Sequence, residues 1–442
     1  MLDVNGKRVV VVGLGTSGIA ACRLLAARGA HVVATDAKTR EQVSADVSAL
    51  EGHGITLVLG GHAAAKLEEA DLVVVSPGVP MFAELAAAEK KGVRIWGEVE
   101  LAVQALAKPA PVVAIGGTNG KSTTTSLVGA LLDRAGKRTF VGGNLGEPLA
   151  AHADESFDVV VLEVSSFQME RVEAFRPKVS VLLNVTPDHL DRYPSEQAYA
   201  DAKGNAFVRQ TADDLAVVPA SDDVCLRQAK RGQARVVTFG PGGDVSVRPD
   251  AIVDGDQVYG RSEIALQGGH NALNVAAALA AIRPFGIDPA LVREVLSTFQ
   301  GLAHRMAFVR ERRRVRFYDD SKGTNVGASV TAVRGIREEK VVLVAGGRDK
   351  GGSYGPLVDA LRERGRAAVL IGEARHVIEN AIGDVVPVRT ATDMNEAVAL
   401  SAELARPGDA VLLSPACSSF DMFRDYKERG DTFVRAVMEL PE

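Results

Sequence analysis

The residues best suited to chemistry stand in a glycine-rich segment that joins a predicted strand to a predicted helix. It reads Ala114-Ile115-Gly116-Gly117-Thr118-Asn119-Gly120-Lys121-Ser122-Thr123. Main-chain amides of such a loop surround phosphates, a lysine reaches the terminal phosphate oxygens, and a serine hydroxyl can bind Mg²⁺. The segment departs from G-x-x-x-x-G-K-[ST] at its first position, where Ile115 stands one place before the glycine. It therefore predicts a nucleoside triphosphate site centred on Lys121 and Ser122.

A metal held at such a loop also needs an acidic side chain, and Glu163 is the candidate. The run Val159-Val160-Val161-Leu162 is typical of a buried strand, and Glu163 closes it. A carboxylate at the carboxyl end of a strand beside a phosphate loop can bind the metal directly or through water. We therefore expect Glu163 to act together with Ser122.

A second glycine loop, Gly13-Leu14-Gly15-Thr16-Ser17-Gly18, lies near the N-terminus between a predicted strand and a predicted helix. Asp36 follows the next predicted strand, about 20 residues further on, as in dinucleotide-binding folds. The loop amides would hold a diphosphate and the acid would accept a hydrogen bond from a sugar hydroxyl. The obvious ligand is NAD. However, this block ends near Gly97, which is short for two mononucleotide-binding halves, so another nucleoside diphosphate is also open.

The elements that position these loops follow an α/β pattern. Short β-branched runs alternate with Ala- and Leu-rich stretches in three blocks, residues 1–97, 98–302 and 303–442. Such alternation is typical of parallel sheets covered by helices. We predict a Rossmann-like N-terminal domain, a P-loop-type central domain with a mixed sheet, and a Rossmann-like C-terminal domain.

Composition excludes several classes of protein. The net charge is −5, with 51 Lys and Arg against 56 Asp and Glu, which argues against a nucleic-acid binder. The three cysteines are widely spaced and give no disulfide framework. The sequence shows neither a signal-peptide pattern nor an apolar run of about 18 residues. We expect a monomeric cytoplasmic protein that acts on small molecules, without a nucleic-acid or membrane partner.

Further segments, together with the phosphate loop, resemble the Mur ligase family, whose members add amino acids to a bacterial cell-wall precursor. They occur in the family's order and span the whole chain. The resemblance implies an ATP-dependent, ADP-forming amide ligase that works through an acyl phosphate. The segments are Gly142–Gly146, Leu183–Asp191, Ala200–Lys203, Gly269–Asn274 and His304-Arg305.

The same resemblance implies two Mg²⁺ ions. Ser122 and Glu163 would hold one, and His189 and a carbamylated Lys203 (N6-carboxylysine) would hold the other. Lys121, His189 and Lys203 are the implied catalytic residues. Two anions must meet in the reaction, and Lys121 and Mg²⁺ would supply the positive charge that this requires. The implied ATP-binding residues are Gly116, Gly117, Thr118, Asn119, Gly120, Lys121, Ser122, Thr123, Asn271, Asn274, Arg305 and Asp320.

Three C-terminal segments, Asp319–Asn325, Gly346–Gly351 and Leu413–Asp421, are similar to the family member that adds D-glutamate. Other members tend to carry Tyr-x-His in the first of these segments. The N-terminal domain would then bind a uridine nucleotide instead of NAD, and the implied residues are Gly13, Gly15, Thr16, Ser17, Asp36, Gly78 and Asn144. The two carboxylates of D-glutamate need cationic or hydroxyl partners, and the implied residues are Lys322, Thr324, Lys350, Ser419, Phe420 and Tyr426.

Three alternatives remain open on the sequence. Another amide ligase of the superfamily, such as a folylpolyglutamate synthase, would share the phosphate loop and Lys203 but would not need the first glycine loop. A nicotinamide oxidoreductase fused to an NTPase would bind NADH at Asp36. A non-enzymatic nucleotide-binding scaffold would release no phosphate with any amino acid.

Overall fold

The computed structural model describes residues 2–43, 45–189, 192–266, 268–349 and 353–441. These residues form three β-sheets flanked by helices. The chain folds into two compact units. The first unit comprises Met1–Val185, Gln197–Ile264 and Leu273–Thr298, and the second comprises Thr186–Glu196, Ala265–Ala272 and Phe299–Glu442.

The first sheet has five parallel strands in the order β3-β2-β1-β4-β5. Its central strands are rich in valine because helices cover both faces. The strand order reverses between β1 and β4, where the loops diverge and leave a crevice for a ligand. The elements are β1 (Arg8–Val12), α1 (Thr16–Ala27), β2 (His31–Asp36), α2 (Ala45–Glu51), β3 (Thr56–Leu59), β4 (Leu72–Val75), α3 (Ala83–Lys90), β5 (Arg94–Gly97) and α4 (Glu98–Ala105).

The second sheet has nine strands in the order β14-β13-β12-β11-β10-β9-β6-β8-β7. The pairs from β7 to β12 are parallel, and the pairs β12–β13 and β13–β14 are antiparallel. The elements are β6 (Val112–Gly116), α5 (Lys121–Arg134), β7 (Thr139–Gly143), β8 (Val159–Glu163), α6 (Ser166–Met169), β9 (Val179–Leu182), α7 (Glu196–Gly204), β10 (Leu215–Pro219), α8 (Asp223–Ala229), β11 (Arg235–Gly240), β12 (Val245–Val247), β13 (Ala251–Asp254), β14 (Gln257–Gly260), α9 (Gly269–Ile282) and α10 (Pro289–Thr298).

The third sheet has six strands in the order β15-β16-β20-β17-β18-β19. Only the edge pair β15–β16 is antiparallel among the pairs of this sheet that the structure describes. The elements are β15 (Ala307–Arg312), β16 (Val315–Asp319), α11 (Val326–Gly335), β17 (Val341–Gly346), α12 (Gly355–Arg364), β18 (Gly365–Ile371), α13 (Arg375–Ile382), β19 (Val388–Thr390), α14 (Met394–Leu404), β20 (Ala410–Leu413) and α15 (Tyr426–Glu439).

The predicted fold class is confirmed: three α/β sheets follow one another along the chain, and the central one is mixed. The boundaries after residues 97 and 302 remain predictions. The sequence pattern predicts a C-terminal helix near Phe420–Leu440. In the structure this helix begins later, at Tyr426, because the Asp425 carboxylate accepts the amides of Lys427 and Glu428 and caps the helix there. No helix in the described part of the chain is both long and apolar enough to span a bilayer.

Candidate active site

The phosphate loop runs from the end of β6 at Gly116 to the start of α5 at Lys121, at the carboxyl end of a strand that lies between β9 and β8. Gly117 and Gly120 have φ angles of +144° and +84°. A Cβ on Gly120 would lie only 2.3 Å from Oδ1 of Asn274. Glycine is therefore required there, and the amides of the first turn of α5 stay accessible to an anion.

A side chain from the neighbouring strand end holds this loop in shape. Asn184 follows β9, and its Oδ1 accepts the amides of Thr118 at 3.1 Å and Asn119 at 2.9 Å. Its Nδ2 donates to the Asn119 carbonyl at 3.1 Å. Asn184 belongs to the segment Leu183–Asp191 that carries the family resemblance, but it was not singled out as a site residue.

Two lysines approach the same loop carbonyl. Nζ of Lys121 donates to the carbonyls of Gly117 at 2.9 Å and Thr118 at 2.8 Å. Lys203, on α7, donates from Nζ to the same Gly117 carbonyl at 2.9 Å, and its exposed fraction is 5%. Its Nζ also lies 4.5 Å from the ring centroid of Tyr199. Lys203 is thus a buried lysine at the phosphate loop, and it is not a solvated helix residue.

Glu163 and Ser122 meet at the buried end of the loop. Each is only 2% exposed, and the Ser122 hydroxyl donates to Oε2 of Glu163. Asn144 donates from Nδ2 to Oε1 of the same carboxylate at 2.6 Å, so its amide lies at Glu163. A hydroxyl and a carboxylate are the hard oxygen donors that Mg²⁺ prefers. The residues present therefore fit that ion.

His189 lies in the second unit, directly after Asp188. Its backbone amide donates to Oδ1 of Asp188 at 3.0 Å, and its φ is +56°. Leu190 and Asp191, which complete the predicted metal loop, lie outside the described residues. Among the residues that the structure describes, no three His, Cys, Asp or Glu side chains converge as a metal cage. A bound Mg²⁺ would therefore take further oxygens from phosphates and water.

The first glycine loop is built around Asp36. Its Oδ2 accepts the Leu14 amide at 2.7 Å, and its Oδ1 accepts the Lys38 amide at 2.9 Å. The Ser76 hydroxyl donates to the carbonyl of Gly13 at 2.7 Å and ties the two loops at the strand-order reversal. Asp36 therefore shapes the loop itself, while each of its oxygens keeps a second lone pair for a ligand.

A cavity of about 770 Å³ opens beside this loop. Gly15, Thr16 and Asp36, which the sequence analysis assigns to a nucleotide, line this cavity. The cavity also has walls that were not predicted, from the segment after β2 and from the segment before β8. These additional lining residues include Lys38, Gln42, Val43, Glu147, Pro148 and Ala150. Ser17 lies in the first turn of α1, and Gly78 lies in the loop after β4.

Four of the predicted D-glutamate residues lie on two adjacent loops: Lys322 and Thr324 follow β16, and Ser419 and Phe420 follow β20, while Tyr426 begins α15. The amide of Ala416 donates to the carbonyl of Gly323 at 2.9 Å. The Ser414 hydroxyl donates to Oδ2 of Asp320 at 2.7 Å. Burial raises the pKa of Asp320 to about 7, although the Ser414 hydroxyl and the Arg305 guanidinium act in the opposite direction.

Lys322 and Tyr426 contact each other across these loops, with Nζ 3.9 Å from the ring centroid. Ser419 is buried, whereas Phe420 is 65% exposed. Lys350 lies outside the described residues. Arg429, which was not predicted as a site residue, forms hydrogen bonds to both the loop after β16 and the loop after β20. Its exposed fraction is 1%, and its guanidinium donates to the carbonyls of Ser321 and Cys417.

The two asparagines predicted to bind adenine both lie on α9, Asn271 near its start and Asn274 one turn later. Asn274 is buried and belongs to the first unit with the phosphate loop, and Asn271 belongs to the second unit. Arg305 precedes β15 in the second unit.

Comparisons with known proteins agree with these features. Three family models match in succession: "Mur ligase MurD-like, N-terminal domain" over residues 7–97, "Mur ligase middle domain" over 115–282 and "Mur ligase, glutamate ligase domain" over 304–417. The UDP-N-acetylmuramoylalanine–D-glutamate ligase of Trichlorobacter lovleyi is 44% identical over 453 residues, covering 99% of this chain and 100% of that protein.

Solved structures share the fold. The UDP-N-acetylmuramate-alanine ligase of Thermotoga maritima aligns with a TM-score of 0.61 at 21% identity, covering 98% of this chain and 99% of that one. The MurF ligase of the same organism, solved in complex with ADP, gives 0.61 at 18% identity, covering 98% and 95%. From the three matched domains and the full-length identity, we conclude that this chain belongs to the Mur ligase family.

Proposed function

We propose that the protein joins D-glutamate to UDP-N-acetylmuramoyl-L-alanine during peptidoglycan precursor synthesis, with ATP converted to ADP and phosphate. The observation that carries this proposal is the 44% identity, over 99% of the chain, to a ligase named for that reaction. The two glycine loops of the first unit supply separate places for ATP and for the uridine nucleotide. We also propose that the protein is a monomer and that it acts in the cytoplasm.

The reaction has two balanced steps. The L-alanine carboxylate of the nucleotide substrate attacks the γ-phosphorus of ATP, and the bond to ADP breaks to give an acyl phosphate. The neutral amine of D-glutamate then attacks the acyl carbon, a C–N bond forms, phosphate leaves and the amine loses a proton. Lys121 and the amides at the start of α5 bind the phosphates and compensate the charge that builds during transfer.

The magnesium ions and the lysine modification belong to the same proposal. Ser122 and Glu163 would hold one Mg²⁺, and His189 with carbamylated Lys203 would hold the second. When bound, the ions neutralise phosphate charge and polarise the transferring phosphoryl group. The buried position of Lys203 at the Gly117 carbonyl supports a role at the phosphates.

Binding of D-glutamate is assigned to the two loops of the second unit. Lys322, Lys350, Thr324 and Ser419 would offer two cations and two hydroxyls, with Phe420 and Tyr426 as further residues of the site. Two carboxylates at fixed spacing can be paired by such a set. An analogue that lacks one carboxylate would leave a charged partner unpaired. This costs several kcal/mol, so kcat/KM should fall by several orders of magnitude.

The decisive experiment measures phosphate release from ATP with UDP-N-acetylmuramoyl-L-alanine and one amino acid at a time. We expect turnover with D-glutamate and none with L-glutamate, D-alanine, glycine or diaminopimelate. L-Glutamate should fail because inversion at the α-carbon moves the amine away from the acyl phosphate when both carboxylates are held. Turnover that prefers diaminopimelate or L-glutamate would overturn the assignment within the family, and saturable NADH binding would revive the oxidoreductase alternative.

A further inference from the structure

The side chain of Asn325 connects two segments that are far apart in sequence, and both belong to the second unit. Its Oδ1 accepts the amide of Ala328 at 2.8 Å and caps the start of α11. Its Nδ2 donates to Oδ2 of Asp188 at 3.2 Å, across 137 residues of sequence. One amide side chain thus uses its acceptor on one segment and its donor on the other.

Asp188 carries this connection to His189. The other oxygen of Asp188, Oδ1, accepts the backbone amide of His189 at 3.0 Å. His189 has a φ of +56°, a left-handed conformation that a non-glycine residue keeps only when its surroundings hold it. The Asp188 side chain is 9% exposed, so little water can replace its partner. We call residues 186–189 the histidine segment.

The other end of the connection is the segment Asp319–Asn325, which we call the D-glutamate segment because it carries Lys322 and Thr324. Its backbone is folded on itself: the Gly323 amide donates to the Asp320 carbonyl at 2.8 Å. The Thr324 amide donates to the carbonyl of Lys322 at 2.7 Å. The cap at Asn325 then fixes where this segment joins α11. A rigid segment of this kind can transmit the position of Asn325 to its neighbours.

We infer that Asn325 is a positioning residue for ligation, whose amide group holds the histidine segment in place relative to the D-glutamate segment. The inference rests on the proposed function, which gives these two segments their roles. It explains why asparagine is present at this helix cap. Aspartate and serine cap helices equally well, but neither has an N–H donor for Asp188.

The test compares variants that keep the cap and change the donor. Asn325→Asp faces Asp188 with a second carboxylate, and Asn325→Ser leaves the carboxylate of Asp188 without the amide. We expect both to lower kcat/KM for D-glutamate by about 10–100-fold, the effect of a misplacement of about 1 Å. The KM for ATP should stay within about twofold of wild type, because neither Asn325 nor its partner Asp188 is assigned to ATP.

A matched control exists at another helix start. Asp393 caps α14 through Oδ1, which accepts the amide of Glu396 at 2.9 Å. Asp393→Asn makes the reverse exchange at a cap that is not part of the proposed site. It should leave kcat/KM for D-glutamate unchanged. Equal loss in this variant would mean that any change of cap disturbs the enzyme, and the inference would be overturned.

The most specific test exchanges the side chains of Asn325 and Asp188. In the double variant Asn325→Asp/Asp188→Asn, the new asparagine donates to the new aspartate, while each still accepts its backbone amide. We expect most of the activity lost in Asn325→Asp to return, as a double-mutant cycle would measure. Wild-type kinetics in Asn325→Ser, or no recovery in the exchanged pair, would each overturn the inference.

A second readout does not depend on activity. Hydrogen exchange should be faster in peptides that contain residues 186–189 in Asn325→Ser and Asn325→Asp, and it should return to the wild-type rate in the exchanged pair. Unchanged exchange in both single variants would overturn the inference even if the enzyme is active. If the wild type released no phosphate with D-glutamate, the proposed function would fail, and the exchange data would still decide on the connection.

Discussion

Lys121 and Lys203 donate from two different helices to one carbonyl, that of Gly117. Two ammonium groups held so near each other repel, unless an anion joins them or one of them loses its charge. Carbamylation would turn Lys203 into an anion with oxygen ligands for Mg²⁺. The shared carbonyl places Lys203 beside the lysine assigned to the phosphates, which is where the proposed modification would act.

Replacing Lys203 by alanine should make the enzyme nearly inactive, and short carboxylic acids added to the assay should partly restore it. The acid would enter the space of the lost side chain and supply the oxygens of the carbamate. Lys203→Arg is the control, because its side chain fills the space and excludes the acid. Full phosphate release by Lys203→Ala without any added acid would remove the carbamate from the mechanism.

Replacing Lys121 by alanine should lower kcat by about 10²–10³-fold or more, as for other electrostatic stabilisers of a transition state. The fold should persist, because Lys121 donates to loop carbonyls and fills no core position. Phosphate release and thermal unfolding measured on one sample would separate the two effects. Lys137→Ala, an exposed position beyond the same helix, should behave as wild type. Near-normal turnover in Lys121→Ala would refute the phosphate-loop assignment.

Local spacing was enough to predict Lys121 and Ser122, because a phosphate loop is a contiguous motif whose chemistry depends on its neighbours in sequence. Lys203 could be selected only through the family resemblance, since its place at Gly117 arises from tertiary packing. No motif or spacing in the sequence pointed to Arg429. An arginine on a polar helix is normally solvated, and only the folded structure shows that it joins two loops.

At the scale of elements, α4 anchors two loops through buried carboxylates at its start. Glu100 accepts the backbone amides of Glu173, Ala174 and Phe175 and the side-chain amide of Gln104, which spread its charge over four donors. Glu98 accepts one amide, that of Ala150, at 2.9 Å. Burial therefore raises the pKa of Glu98 to about 7 from its ordinary value of 4.5, and the Ala150 amide offsets this only in part.

This pKa shift gives a pH dependence of stability with a definite sign. The folded state holds the Glu98 proton more tightly than the unfolded state, so the stabilising contribution is complete below pH 4.5 and is lost as the pH rises through about 7. The variant Glu98→Gln lacks this pH-dependent loss of stability, because glutamine does not titrate. Relative to wild type, the free energy of unfolding of the variant should rise by about 3 kcal/mol between pH 4.5 and 8.

Urea unfolding followed by the fluorescence of Trp96 would measure this effect. Trp96 is the single tryptophan of the chain and lies in β5, next to α4, where its indole donates to Glu173 at 2.7 Å. Glu84→Gln on α3 is the control, and its free energy of unfolding should depend on pH in the same way as that of wild type. The same pH dependence in Glu98→Gln as in wild type would contradict the prediction.

Most strands were predictable because their valine-rich runs are buried on both faces, and helix starts such as Lys121 follow glycine loops. The start of α15 was placed too early because an apolar residue, Phe420, continues the pattern in the sequence. In the structure that residue is 65% exposed, and the Asp425 cap decides where the helix begins. Several residues near a helix start can act as its cap. The conformation of the surrounding loop decides which of them does so.

At the scale of the whole molecule, the proposed binding residues are distributed over two compact units. The first unit carries both glycine loops, and the second carries the proposed D-glutamate residues as well as Asn271, Arg305 and Asp320, which are assigned to ATP. The second unit also includes Thr186–Glu196 and Ala265–Ala272, which lie inside the predicted central domain of residues 98–302. These insertions bring His189 and Asn271 into the second unit. Their placement could not be predicted, because sequence blocks show continuity along the chain and not contacts in space.

The separate residues assigned to each substrate predict that D-glutamate affinity can be changed without changing nucleotide affinity. Thr324→Val keeps the shape of the side chain and removes its hydroxyl. The loss of a hydrogen bond to a carboxylate costs about 1.5–3 kcal/mol, so the KM for D-glutamate should rise by about 10–100-fold. The KM values for ATP and for the uridine nucleotide should stay within about twofold, because Thr324 is not among the residues assigned to either nucleotide.

Thr331→Val is the matched control for this last experiment. Thr331 lies on the exposed side of α11, where its hydroxyl donates to the Gly327 carbonyl at 2.9 Å, so the same exchange is made outside the proposed site. All three KM values should remain at their wild-type levels. Equal increases for ATP and D-glutamate in Thr324→Val would show that the substitution disturbs the enzyme globally. An unchanged KM for D-glutamate would remove Thr324 from the amino-acid site.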